Sequence, residues 1–450
     1  MAYTETTTRS YGSRVGSSFR GIGAGFMLFI AGTALLWWNE GRAVKTDKML
    51  NEAEGVTVEL EDISRVDPEY DGKLVCAQGF ATTNDSLIDS EFGVGAKAIK
   101  LARKVEYYQW VEESHSESRD KLGGSEETVT TYTYKTQWTG SPVQSSQFHD
   151  PAYQGKNYVL MTAEDNQQQA QTVTFGAYTL NESQVNSIWG DVPIELQIDD
   201  QRLKSWDKNC QTVYERYNGK KVIAHAAPQQ AVAQNDSVVA DSVVFEENAS
   251  NRKDYDYVHV AGNMIYYGTS TASPQVGDVR ITFTKVMPAD VTIIAKAKGN
   301  TFTKFKAKNG KTFSTLVMGK RDAAEIYESE HEANNAFLWI FRIVGILMVI
   351  SGLKGIFAFL ETILKVVPFV ANIIGWGVGA VCTVIGVVWS LIVIALAWLF
   401  YRPLIGIGLL AVAGFLIWVF AFKGKDKLKE MAAKRGQAGQ AVQPVTPENV

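Results

Sequence analysis

Residues 366–422 read VVPFVANIIGWGVGAVCTVIGVVWSLIVIALAWLFYRPLIGIGLLAVAGFLIWVFAF and carry a single charge, Arg402. A bilayer core about 30 Å thick is crossed by about 20 apolar helical residues. In lipid every backbone amide must be satisfied within the segment, so such a run is read as helix. The part before Tyr401 is too short for two crossings and a turn. It therefore predicts one span at 373–400, a tight turn at Tyr401-Arg402-Pro403, and a returning span at 404–422. Outward from this block, Gly21–Asn39 carries no charge and predicts a first span at 21–39. Between Glu332 and Lys354 the only charge is Arg342, which predicts a second span at 335–353. The overall average of 20% charged residues over 450 positions, with a net charge of −4, hides this segregation.

Lys and Arg in the short flanks orient the spans. Arg9, Arg14 and Arg20 precede the first span against one acid, Glu5, and Lys423, Lys425, Lys427 and Lys429 follow the last. Lys354 and Lys365 lie between the second and third, whereas the final turn has only Arg402. These counts predict both termini in the cytoplasm: a disordered Ser/Thr/Arg-rich tail at 1–20 and a basic tail at 423–450. Residues 40–334 then form an extracytoplasmic domain. The Gly21–Trp38 run exceeds the usual signal-peptide core and ends on two tryptophans at the interface, which favours a retained anchor over a cleaved leader. Cys76 and Cys210 both fall in the exported domain, where they either pair or stay free; Cys382 falls inside a span.

The exported domain is rich in β-branched and aromatic runs with partial alternation. Strands are expected at Val56–Leu60, Leu74–Gln78, Val105–Val111, Thr128–Trp138, Tyr257–Tyr267, Val279–Val286 and Val291–Lys298. Val105–Val111 should pair with Thr128–Tyr134 across a polar loop, Ser114–Glu127, setting Trp110 and Trp138 across one hairpin. Asn218-Gly219 and Asn309-Gly310 are turn signals. Asp165–Gln171 and Glu182–Trp189 read as helical or irregular, Thr46–Glu54 as a short amphipathic helix, and Arg321–Asn335 as a helix entering the second span. The expected fold is thus a four-span α-helical membrane protein with a large extracytoplasmic α+β domain dominated by antiparallel sheet. Lys354, Glu361 and Lys365, spaced by seven and four, share one helical face. With Ile356, Phe357 and Leu360 on the others, residues 354–366 predict an amphipathic helix lying in the interface.

The residues supply little chemistry. Five histidines are scattered without metal spacing, and Gly310-Lys311-Thr312 lacks the first glycine of a phosphate loop. No cofactor, metal or nucleic-acid partner is expected, and the cytoplasmic lysines suit lipid headgroups. Arg342 is the one ionisable residue inside a span, close enough to the outer interface to snorkel. Gly21/Gly25 and Gly375/Gly379 are Gly-xxx-Gly pairs that pack the bundle internally or mediate association between copies.

Several short stretches are specific. Asn39-Glu40-Gly41-Arg42-Ala43 follows the first span, and Val105–Glu112 contains Tyr108-Gln109-Trp110. Tyr134–Trp138, Gly277-Asp278-Val279-Arg280 and Trp398–Leu404 with its Phe400-Tyr401-Arg402-Pro403 turn complete the set. In this order the chain resembles the transmembrane protein 43 family, also called LUMA, from about residue 20 to 425 and more weakly near 140–250. The resemblance implies four spans, a lumenal domain, self-association and no enzymatic activity. In a cell with a nucleus it implies the endoplasmic reticulum and inner nuclear membrane, with lamin- and emerin-type partners. In a bacterium the same topology places the domain in the periplasm and the spans in the plasma membrane. The leading expectation is a non-enzymatic scaffold that forms homo-oligomers in the lipid bilayer and organises membrane or lumenal proteins. Its determinants are expected among Glu40 and Arg42, Trp110 and Trp138, Arg342, Lys354, Glu361, Lys365, Gly375, Gly379, Arg402 and Pro403. The alternatives are an oligomeric channel, a lipid-handling protein, and a tethered enzyme using paired carboxylates.

Overall fold

The computed structural model describes residues 2–219, 253–364 and 368–402. It divides into two compact units. One comprises Met1–Ser10 with Met49–Glu330, the other Tyr11–Lys48 with His331 onward.

In chain order the elements begin with β1 (Tyr3–Arg9), α1 (Tyr11–Glu54), β2 (Val58–Leu60), β3 (Leu74–Thr82), β4 (Ser86–Asp89) and β5 (Val94–Lys97). Then come β6 (Lys100–Asp120), β7 (Glu126–Thr139), β8 (Asn166–Gln169), β9 (Thr174–Phe175), β10 (Tyr178–Thr179), α2 (Glu182–Asn186), β11 (Asp191–Pro193) and α3 (Asp200–Asn218). After these follow β12 (Lys253–Asp254), β13 (Val258–Ala261), β14 (Met264–Tyr267), β15 (Val279–Val286), β16 (Ala289–Lys298) and β17 (Thr301–Thr303). The chain continues through β18 (Phe305–Lys306), β19 (Thr312–Phe313), β20 (Thr315–Met318), α4 (Ala323–Leu364) and α5 (Pro368–Tyr401).

The β-rich unit holds two larger sheets. One runs β1-β7-β6-β15-β14-β13-β12, with β11 on β15 and β8 on β6; all its pairings are antiparallel. β15 reads Val-Arg-Ile-Thr-Phe-Thr-Lys-Val, and its alternation buries Val279, Ile281 and Phe283 against α3 residues Leu203, Cys210 and Tyr214. The other sheet runs β2-β3-β9-β10-β17-β16-β20, with β3 also beside β16. Its central strand is covered on both faces, so β16 reads as an apolar run rather than an alternating one. Val291 and Ile293 face one cluster with Phe175 and Phe302. Ile294, Leu74 and Cys76 face another, closed by Met49, Leu50 and Ala53 of α1 and by Ile326 and Tyr327 of α4. An antiparallel, β-dominated α+β domain is therefore as expected, apart from parallel pairs at β2–β3 and β10–β17.

Several elements differ from expectation for identifiable reasons. The hairpin is far longer, with strands through Asp120 and from Glu126 joined by a turn containing Gly123 and Gly124 at positive φ. Ser116 and Ser118 meet the hydroxyls of Thr130 and Thr128, so a polar sequence expected as a loop builds a ladder. Tyr257–Tyr267 breaks into two strands at Gly262, whose φ of 56° bends the chain back. Asp165–Gln171 contains strand β8, and Asn218-Gly219 is the C-terminus of α3, not a hairpin. Asn309-Gly310 does turn β18 into β19, and Glu182–Asn186 is helical behind an Asn181 capping box. Residues 1–20, expected to be disordered, instead hold β1 on β7 and the start of α1.

Among the described residues three helices are long and apolar enough to cross a membrane: α1, α4 to Ala358, and α5 from Gly377. Thr46–Glu54 continues α1, and 354–364 continues α4, with no break where separate amphipathic helices were expected. The expected span 404–422 and tail 423–450 lie outside the described residues, as do Lys365 and Pro403.

Candidate functional site

The helical unit is organised by a charge buried where apolar residues dominate. Glu40, at the end of the charge-free run of α1, is 3% exposed, and Arg342, inside α4, is 9% exposed. Arg342 grips both carboxylate oxygens, Nε to Oε1 at 2.6 Å and Nη2 to Oε2 at 2.9 Å. From α5 the Trp398 indole donates Nε1–H to Oε2 at 2.7 Å. The guanidinium lies over the rings of Trp339 and Trp398, at 4.9 and 5.5 Å from their centroids. The bidentate pair, a third donor and two aromatic faces leave neither charge bare.

Around this core the rest of the Asn39–Arg42 stretch ties α1 to its neighbours. Asn39 donates to the Leu338 carbonyl and accepts from Arg42 Nε. Arg42 reaches the Asn334 amide oxygen at 3.1 Å, while the Asn334 amide donates to the Ala43 carbonyl. Gly41 is required by proximity, because a Cβ there would overlap the Tyr401 ring. Trp37 packs on Phe400 and Tyr401. Thus Asn39-Glu40-Gly41-Arg42 and the Trp398–Tyr401 segment, far apart in sequence, meet at one place.

Below the clasp α1 and α4 run antiparallel at backbone distance. Gly25 faces Gly352 and Gly355, Gly32 faces Gly345 and Val349, and Leu36 covers Gly345. Gly386 of α5 faces Ile350, and the Trp389 indole donates to the Thr33 hydroxyl. The glycines repeat at seven-residue intervals on both helices, the spacing that keeps one face toward a partner. Gly25 is thereby used inside the bundle. Among the described residues, by contrast, a Cβ added at Gly377 or Gly379 would meet nothing within 4 Å, and Gly377 borders an apolar hollow of about 330 Å³ lined by Leu353, Phe357, Val378, Val381 and Ile385. Gly375 and Glu361 lie in the helices, but their side-chain surroundings are outside what is described. Lys354 is exposed, and Arg402 ends α5 with its amide on the Trp398 carbonyl.

The structure thus brings Glu40, Arg42 and Arg342 together and gives Arg342 a partner instead of a snorkelling position. Antiparallel register was the missing signal: contacts climb α1 as they descend α4, so Glu40 falls at the depth of Arg342.

In the β-rich unit Trp138 lies opposite Tyr108, edge-on at 5.3 Å, with the Arg280 guanidinium 4.3 Å from its ring centroid. Arg280 also pairs with Glu106 at 2.7 Å. Trp110 lies opposite Thr136 and packs on Tyr153, so the two tryptophans serve separate clusters. Beside them sits Asp278, which sequence reading noticed only as part of a motif. Its buried carboxylate accepts from the Tyr266 hydroxyl at 2.5 Å and the Gln275 amide at 2.8 Å. Burial pushes its carboxyl up to about 6. Gly268 has no room for a Cβ against that carboxylate.

Three glycine-packed apolar helices closed by a buried charge pair, in a chain that also builds a large antiparallel β domain, define an integral membrane protein with a substantial non-membrane part. The family model described as Transmembrane protein 43 matches residues 107–403, and the chain belongs to that family. Its relatives include Transmembrane protein 43 of Rattus norvegicus, 27% identical over 87% of both chains. The Mus musculus protein is 27% identical over 90% of both chains. The Drosophila melanogaster homolog is 25% identical over 88% of this chain and 92% of its own. No solved structure matches.

Proposed function

We propose that this protein is a non-enzymatic membrane scaffold that self-associates and organises membrane protein complexes, with both termini cytoplasmic and the β-rich unit exported. The observation that carries the reading is a glycine face of α5 that no described residue fills. Six bundle glycines, Gly25, Gly32, Gly345, Gly352, Gly355 and Gly386, are closed by a neighbour, whereas among the described residues nothing closes Gly377 and Gly379 of α5 or Gly21 and Gly23 of α1, and Gly377 borders an apolar hollow. A small-residue face at membrane depth lets a further helix approach closely, which is how helices associate when lipid is as apolar as they are. The flanking Lys and Arg support the orientation.

The test is native mass in lipid nanodiscs. Wild type should give a discrete multimer, and Gly379→Leu, which fills the open face, should shift it toward monomer. A monomeric wild type removes the scaffold reading. The hollow also suits an acyl chain. A multimer unaffected by Gly377→Leu, which fills the hollow, but depleted of co-purifying lipid would favour lipid handling instead.

A further inference from the structure

The cations of the β-rich unit are unevenly matched. Between Asp290 and Asp322 the sequence holds eight Lys and Arg and no Asp or Glu, in a chain of formal net charge −4. Elsewhere in the unit cations sit beside carboxylates, as Lys104 does on Glu106, Lys121 on Glu127 and Lys135 on Glu113. At the end of the stretch Lys320 and Arg321 reach Asp290 and Glu325. Among the described residues Lys296, Lys298, Lys304, Lys306 and Lys308 have no ion-pair partner. Two nearby carboxylates hold backbone instead: Asp71 accepts from the Gly299 amide at 2.8 Å, and Glu52 from the Lys308 amide at 3.0 Å.

The fold gathers these five lysines at one end of the second sheet. Lys296 and Lys298 follow Ile294 at two-residue intervals on β16 and lie opposite Thr303 and Thr301 of β17. Lys304 comes directly after Thr303, and the β18–β19 hairpin then packs Phe305 and Ala307 into the cluster that holds Ile294. Lys304, Lys306 and Lys308 alternate with those two residues and stay exposed, as Lys298 does. The alternation that closes the core thus leaves three ammonium groups outward in a row.

We infer that this lysine face docks an extended, acidic segment of a partner protein. It goes beyond the proposed self-association, since the partner is a different chain and the residues are different ones. Charge complementarity carries it: unmatched cations repel one another in the free protein, and a partner of opposite sign relieves that repulsion. An extended segment with an acid at every second position repeats at about 6–7 Å, the spacing of lysines two apart on a strand. Phosphate-rich partners are met by arginine forks and stacked aromatic rings. In this stretch Arg321 is taken by Glu325, Phe302 and Phe313 are buried, and Phe305 packs on the core. A bilayer surface is met by cations interleaved with apolar residues that enter it. None of the exposed large apolar residues of the described chain falls between Val291 and Arg321. A polar face of lysines flanked by Thr301, Thr303 and Thr312 suits carboxylates on a polypeptide.

Full-length protein in phosphatidylcholine nanodiscs, titrated with a fluorescent peptide of about ten residues alternating Glu and Thr, gives the test by anisotropy. The peptide should bind, more weakly as salt rises, and its Gln–Thr counterpart should not. Lys304→Gln/Lys306→Gln/Lys308→Gln should weaken binding about tenfold or more with thermal unfolding unchanged, because the three side chains are exposed. Lys320→Gln, whose partner is Asp290, should leave binding within about twofold. Lys304→Glu/Lys306→Glu/Lys308→Glu should lose the acidic peptide and take up one alternating Lys and Thr. Lysines that merely guard a strand edge would bind no peptide, and that result overturns the inference. So would an equal loss in Lys320→Gln, which assigns binding to net charge. Preference for an oligothymidylate, or for phosphatidylserine nanodiscs added in trans, would overturn it as well. Native mass reads the self-association proposal separately: a monomer that binds the peptide sinks that proposal alone, and a multimer that ignores it sinks this one alone.

Discussion

Glu40 and Arg342 show how one residue sets the worth of another. Alone in a helical bundle, either would be an uncompensated buried charge; together, with Trp398, they are neutral and hydrogen-bonded. Glu40→Ala should lower the stability of the purified protein in detergent by about 3–5 kcal/mol, and Arg342→Ala by a similar amount. The apolar pair Glu40→Leu/Arg342→Met should recover most of that loss. Thermal unfolding of the three variants checks this, and additive losses in the double variant would contradict the pairing. Both charges could be seen in the sequence, one past the end of a span and one inside the next. Their partnership could not, because it depends on the depth at which two helices face each other. Asp278 makes a second residue-scale prediction. Its carboxyl is raised from 3.8 to about 6 by burial, so the unfolded chain releases the proton first as pH rises. Stability is therefore lost between about pH 4 and 6, by about 3 kcal/mol at most. Asp278→Asn should melt with a smaller difference between pH 4.5 and 7.5 than wild type does; an unchanged difference would assign the effect to other groups.

At the scale of elements, the glycines of the bundle divide into two kinds. Gly352 abuts the backbone of Phe29 and Gly25, so any side chain there must push α1 and α4 apart. Gly352→Val should therefore destabilise the monomer in detergent by about 1–3 kcal/mol or more. Gly379→Val, on the open face, should leave that stability within about 0.5 kcal/mol. Equal losses at the two sites would mean that the α5 face is filled. Strands with clean alternation or β-branched runs, such as β15 and β16, were legible in the sequence. α3 was not: Asp200–Asn218 is mostly polar, and only Leu203, Cys210 and Tyr214 mark its buried stripe. The distal hairpin was read as loop because Ser, Thr and Glu are loop-like in composition, yet paired hydroxyls across two strands hold it extended.

The division of the whole molecule into apolar helices and a β-rich unit was visible from where charges are missing. No spacing rule revealed that Asn39–Arg42 and Trp398–Tyr401 converge, since that is set by three helices at once. Orientation can be read chemically. Of the Asn-x-Ser sequons in the described β-rich unit, Asn84 is exposed, whereas the Asn181 side chain caps α2 and donates to the Phe302 carbonyl. Expressed in a eukaryotic secretory membrane, the protein should gain a glycan at Asn84 and none at Asn181, scored by mobility after glycosidase treatment of Asn84→Gln and Asn181→Gln. Failure to modify Asn84 would argue against export of the unit.

The two cysteines of the β-rich unit have a consequence for where such a protein can live. Cys76 sits beneath α1 and α4, Cys210 sits beneath α3, and each belongs to a different apolar cluster. Both are free, and burial pushes both thiols up to about 12. A thiol that stays protonated and inaccessible neither attacks an oxidant nor exchanges with glutathione. Maturation of the β-rich unit therefore needs no disulfide-forming machinery, and the same fold serves an oxidising compartment and a reducing one without change.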